Sequence, residues 1–144
     1  MSKSNVSKKL RNYVEERAKG YCEYCLALSQ FSPSNFEMEH IQPEVKDGET
    51  IDENLALACR RCNGLKFTKT QHTDPISKEI VDLYNPRKDN WHDHFHWNDD
   101  EALMVGKTPK GRATIDLLQI NRPSNINLRS VLRLIGLHPP TDYP

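Results

Sequence analysis

Residues 22–25 read CEYC, residues 38–43 read MEHIQP and residues 54–66 read NLALACRRCNGLK. Cys22 and Cys25 form one C-x-x-C pair, Cys59 and Cys62 form a second, and the chain has no other cysteine. Two such pairs a few tens of residues apart have the spacing of a tetrahedral four-thiolate zinc site. Each pair occupies a tight turn that aims two thiolates at one ion, and the ion ties together two distant parts of the chain. Four thiolates leave no position for water, so such a zinc is structural. Between the pairs lie Glu39, His40 and Asn54, and Asn63 follows the last cysteine. A structural staple needs only the cysteines. The carboxylate, the imidazole and the two carboxamides call for another purpose.

The order C-x-x-C, [D/E]-H-I-x-P, N-L, C-x-x-C-N-x-x-K resembles the HNH endonuclease family in its zinc-stapled form, over residues 17–69. The resemblance implies an α+β fold, with a treble-clef-like ββα-metal nuclease core carrying the four-cysteine zinc site, an N-terminal helix and a C-terminal α/β extension packed on it. It also implies roles. His40 is the expected general base, because phosphodiester hydrolysis needs a deprotonated water and a neutral imidazole near pH 7 can take that proton. Glu39 and Asn63 are the expected ligands of a second, catalytic ion, Mg²⁺ or Mn²⁺, since hard cations take oxygen donors. Related HNH proteins often carry Asp and His at these two positions. Glu39 and His40 are neighbours in an expected strand, which points their side chains to opposite faces. Asn54 matches the middle letter of HNH and is expected to hold the strand pairing and the His40 ring. A turn-forming Asn54 and a helix-capping Asn63 are the structural alternatives. Arg61 and Lys66 are expected to contact phosphate. The function implied is metal-dependent endonuclease action on nucleic acid, with DNA placed ahead of RNA. The alternative is a zinc-stapled nucleic-acid-binding module that has kept the fold and lost the chemistry.

Length and composition set the frame. A chain of 144 residues suits one domain, or a small core with an added lobe. The expected division is a nuclease core over 1–70 and an accessory lobe over 71–144 that is not an independent domain. With a mean hydropathy of −0.77 the apolar core is modest, and a structural metal would help hold the smaller half together. Twenty basic side chains balance twenty acidic ones, so net charge argues for no particular partner. Lys3, Lys8, Lys9, Arg11, Arg17 and Lys19 crowd the N-terminus, and Arg60, Arg61, Lys66 and Lys69 flank the second cysteine pair. Acids gather from 37 to 53, around the expected metal centre. No apolar run is long enough for a membrane span, and the N-terminus lacks the hydrophobic segment of a secretory signal. Paired cysteines without an export signal favour zinc in a reducing cytoplasm over disulfides.

Helical periodicity covers 4–18, with Ser4 or Ser7 at the cap and Gly20 at the end. Strands are expected at 36–41 and 55–59, with a helix from 61. Further on, 71–75 reads as a linker with Asp74 as a cap, and 77–84 as a short helix. WHDHFHW, residues 91–97, reads as a strand carrying His92, His94 and His96 on one face, paired in a hairpin with 101–108. Helices close the chain at 110–120 and 128–137. The string LYNP…W…HF…W, with GRAT after it, resembles the extension that follows the nuclease core in some bacterial HNH proteins.

Overall fold

A computed structural model describes residues 5–144, which divide into two compact units, one up to residue 70 with Pro144 and one over 71–143. Lys3 and the candidate cap Ser4 lie outside the described residues.

The first unit opens with α1, Lys8–Ala18, capped by Ser7, whose hydroxyl accepts the N–H of Leu10 at 3.1 Å. Its buried face carries Val14 and Ala18, both fully enclosed. Lys19 and Gly20 end it in the left-handed region, a turn that suits glycine. From its last turn Arg17 donates to the carbonyls of Asp52 at 2.9 Å and Leu55 at 2.6 Å, which ties the helix to the start of β2. Strand β1, Glu37–His40, and strand β2, Leu55–Ala58, form an antiparallel pair with Glu39 opposite Ala56 and His40 opposite Leu55. All four β2 residues are buried, which explains the unbroken apolar run LALA. Cys59 then caps α2, Arg60–Lys66. Strand, strand, helix and cysteine cluster form the mixed ββα core expected of the sequence.

The second unit is also α+β, and here several expectations are corrected. Residues 77–84 are not a helix. Gln71–Thr73 forms β3 and Ile80–Asp82 forms β4, paired antiparallel. Asp74 does act as a cap, but of the turn between these strands, where its carboxylate accepts the N–H groups of Ile76 and Ser77. The same carboxylate receives two bonds from Arg112, at 2.9 and 2.8 Å. Nor is 91–97 one strand. Trp91–His94 is a single helical turn, α3, capped by Asn90, and only Phe95–Trp97 continues as β5, paired with β6, Met104–Gly106. The three histidines therefore diverge: His94 meets the Thr108 hydroxyl, His96 the Trp97 carbonyl, and His92 the edge of Tyr143.

Helix α4, Pro109–Leu118, follows its Thr108 cap and carries GRAT in its first turns. Each letter has a packing role. A Cβ on Gly111 would lie 2.2 Å from the His94 carbonyl oxygen, Arg112 holds Asp74, Ala113 is fully buried, and Thr114 accepts the Tyr84 N–H. Helix α5, Pro123–Leu134, begins five residues earlier than the expected 128, with proline in its first turn, a favoured position. Buried Arg129 on this helix donates to the carbonyls of Ala102 and Ile120 and stacks over Trp97. Among the described residues no helix is long and apolar enough to cross a membrane.

Candidate active site and zinc site

The four cysteine sulfurs lie within 4.8 Å of one another and all four residues are buried. Cys25 Sγ and Cys59 Sγ are 3.7 Å apart, far beyond a disulfide bond. Zn–S bonds of about 2.3 Å in a tetrahedron place sulfurs about 3.8 Å apart, so this spacing fits a zinc ion. The backbone prepares both turns. Cys25 N points at Cys22 Sγ (3.5 Å), Cys62 N points at Cys59 Sγ (3.4 Å), and Leu26 adopts a positive φ to close the first turn. Hydrogen bonds from the neighbouring sulfurs pull the Cys59 thiol far below its usual pKa and lower Cys25 as well. Burial pushes Cys22 up, and its neighbours raise Cys62. A divalent cation at the centre would let all four ionise.

Glu23, within CEYC, fastens this turn to the sheet. It is 2% exposed, its N–H donates to the Leu57 carbonyl, and its carboxylate accepts the Leu57 N–H at 2.7 Å.

The residues expected to do chemistry are not all brought together. A polar cleft of about 830 Å³ is lined by Arg11, Glu37, Met38, His40, Arg60 and Asn63, among others. His40 and Asn63 therefore share a site. Glu39 does not line it. The residue is 1% exposed, its Oε1 accepts the Tyr24 hydroxyl and its Oε2 the Lys66 ammonium at 3.1 Å. Burial and the adjacent Glu39 charge raise Tyr24 well above the usual phenol value, so it remains a donor. Asn63 instead donates its side-chain N–H to Glu37 Oε2.

Three expected roles change accordingly. Lys66, expected at phosphate, is 2% exposed and donates to Glu39 and to the Ile41 carbonyl. Arg61 is exposed, and the arginines lining the cleft are Arg11 and Arg60. Asn54 does not hold the His40 ring. Its amide accepts the Gln42 N–H and donates to the carbonyls of Gln42 and Glu49, which pins the loop between the strands. The ring is held by Thr50, whose hydroxyl lies 2.9 Å from His40 Nε2, with Glu44 3.8 Å from the same nitrogen. Sequence reasoning missed Thr50, Glu37, Arg11 and Arg60. The basic clusters that contain Arg11 and Arg60, the acidic stretch that starts at Glu37 and the i, i+2 relation of Glu37 to Glu39 were the available signals, and Thr50 had none.

Residues 22–69 match the family model for HNH endonuclease. The chain is also similar to the Septu protein PtuB of Bacillus thuringiensis, at 28% identity over 109 residues, covering 74% of this chain and 39% of that relative. It thus spans about two fifths of the relative's length. The cysteine cluster, the two strands and α2 all fall within the matched segment, so residues 22–69 are the part of the chain that is similar to the HNH endonuclease family.

Proposed function

We propose that this protein is a metal-dependent endonuclease that hydrolyses phosphodiester bonds of nucleic acid, with DNA as its substrate. One observation carries the reading: His40, Asn63, Glu37 and Arg60, all within the segment matching the HNH family, line a single polar cleft. His40 would take a proton from the attacking water, with Thr50 holding its ring at Nε2. His40 is 4% exposed, and catalytic hydrogen bonds commonly align only once substrate is bound. Arg60 and Arg11 would bind the phosphate, a task suited to the guanidinium fork. Asn63 and a neighbouring carboxylate are hard oxygen donors that fit Mg²⁺ or Mn²⁺. Among the described residues only the cysteines form a group of three or more His, Cys, Asp or Glu side chains, so such an ion would have few protein ligands and keep several waters. When bound, it would neutralise charge at the scissile phosphate and at the leaving 3′ oxygen. The zinc would serve only to hold the core together.

A second reading, the binding module without chemistry, is favoured by the engagement of Glu39 with Lys66 and Tyr24. Incubating the zinc-loaded protein with supercoiled plasmid, and separately with RNA, with and without Mg²⁺ or Mn²⁺, tests both. The nuclease reading expects divalent-dependent nicking of plasmid. A DNA mobility shift with no cleavage under any ion would support the module instead.

A further inference from the structure

We infer that a second cavity, adjoining the cleft at Arg11, takes one unpaired nucleobase of the substrate strand beside the phosphate that is cut, and that it favours a base with an exocyclic amine. The inference rests on the nuclease reading and names what that site would select. The cavity measures about 530 Å³ and lies between α1 and residues 29–36, with Leu57 of β2 also in its lining. It shares Arg11, Ser34, Asn35 and Phe36 with the larger cleft, so the two spaces adjoin. This is the size of a small-molecule site, enough for one nucleoside and too small for paired strands.

The lining suits a base. A flat ring needs apolar contact on its face and donors and acceptors round its edge. Phe36 and Leu57, 7% and 2% exposed, supply the apolar surface. Glu15, Gln30 and Asn35 are all exposed and bring a carboxylate and two carboxamides to the same space. Among the described residues none of these three side chains, nor the Arg11 guanidinium, is engaged in a hydrogen bond or ion pair.

Charge decides which part of a nucleotide goes where. Arg11 lines both spaces, whereas Glu15, one turn further along α1, lines only the second. A phosphate is attracted by Arg11 and repelled by Glu15, so it stays in the cleft with Arg60 while the neutral base enters the second cavity. There a carboxylate accepts from an exocyclic amine, as acidic side chains do from cytosine, and carboxamides pair with the edge of adenine. Thymine carries no such amine.

The test titrates each of the four deoxynucleoside monophosphates, and inorganic phosphate, into the full-length zinc-loaded protein and follows its amide NMR signals. The nucleotides of adenine, cytosine and guanine should move the side-chain signals of Gln30 and Asn35, inorganic phosphate should not, and dTMP should bind about 10-fold more weakly, the cost of one lost base contact. Sequencing the ends of nicked plasmid should show thymine depleted at one position beside the break. The triple variant Glu15→Ala, Gln30→Ala, Asn35→Ala changes only exposed side chains, so its zinc content and melting temperature should match wild type while that depletion disappears. Nucleotides that move neither Gln30 nor Asn35, or wild-type breaks with no base bias, overturn the subsite and leave the nuclease reading standing. Protein that cuts no nucleic acid under any ion overturns the nuclease reading, and the subsite with it.

Discussion

Lys66 Nζ lies 3.1 Å from Glu39 Oε2, with both side chains 2% exposed, so α2 is joined to β1 by an ion pair sealed from water. The bond to the Ile41 carbonyl satisfies a further ammonium hydrogen and fixes where β1 ends. A buried pair of this kind adds little over well-packed apolar residues, yet removing one partner strands the other charge. Lys66→Met alone should therefore lower stability by about 3–5 kcal/mol, and adding Glu39→Gln should recover much of that. Urea unfolding of the two variants checks it. A single variant as stable as wild type would mean that Glu39 finds another partner.

The zinc makes a separate demand. The first unit spans only about seventy residues, a size at which an apolar core alone gives little stability. Freshly purified, reduced protein should carry one zinc per chain, and Cys62→Ser should lose both zinc and cooperative unfolding of this unit. Metal analysis that finds no zinc contradicts the reading of the cysteine cluster.

Asp74 sets an acid limit on the second unit. The Arg112 guanidinium and the Ser77 and Ile76 N–H groups hold its carboxyl well below the usual carboxylate range. A depressed folded pKa stabilises the fold at pH values above the unfolded value, about 4, and that stability is lost as pH falls towards the folded pKa. Asp74→Asn should lower the melting temperature at pH 7 and flatten its dependence on pH below about 4. Equal acid sensitivity in wild type and variant would assign the effect to other carboxylates.

Two glycines should respond in opposite ways to alanine. Gly64 lies within α2 with nothing within 4 Å of an added Cβ, so Gly64→Ala should stabilise by about 1 kcal/mol through helix propensity. Gly111→Ala would press its Cβ to 2.2 Å from the His94 carbonyl oxygen and should destabilise, because backbone must shift. Thermal unfolding distinguishes the two signs.

The parts legible in the sequence were those encoded by local spacing. The two C-x-x-C turns announce their geometry because each is closed within four residues, and the buried run LALA announces β2. The partnership of Glu39 with Lys66 was not legible, because it depends on how a helix is phased against a strand 27 residues away. The sequence marks Asp74 as a cap, but aspartate caps a hairpin turn by the same hydrogen bonds with which it caps a helix, so Asp74 does not distinguish a helix over 77–84 from the hairpin that forms there. In WHDHFHW the alternation suggested a strand, whereas Asn90 accepts the His92 N–H and starts a helical turn that spoils it. Thr50 offered no signal at all. A threonine ten residues from His40 becomes its partner only when the loop pinned by Asn54 folds back.

His40 is proposed to activate water in the cleft it shares with Asn63 and Arg60, and a cleavage assay on supercoiled plasmid with Mg²⁺ or Mn²⁺ decides whether it does. Wild type should nick the plasmid, and His40→Ala should be slower by about 10² to 10⁴ while keeping its zinc, its Mn²⁺ affinity and its melting temperature. His40→Ala that nicks as fast as wild type, across both ions and across pH, would contradict the claim.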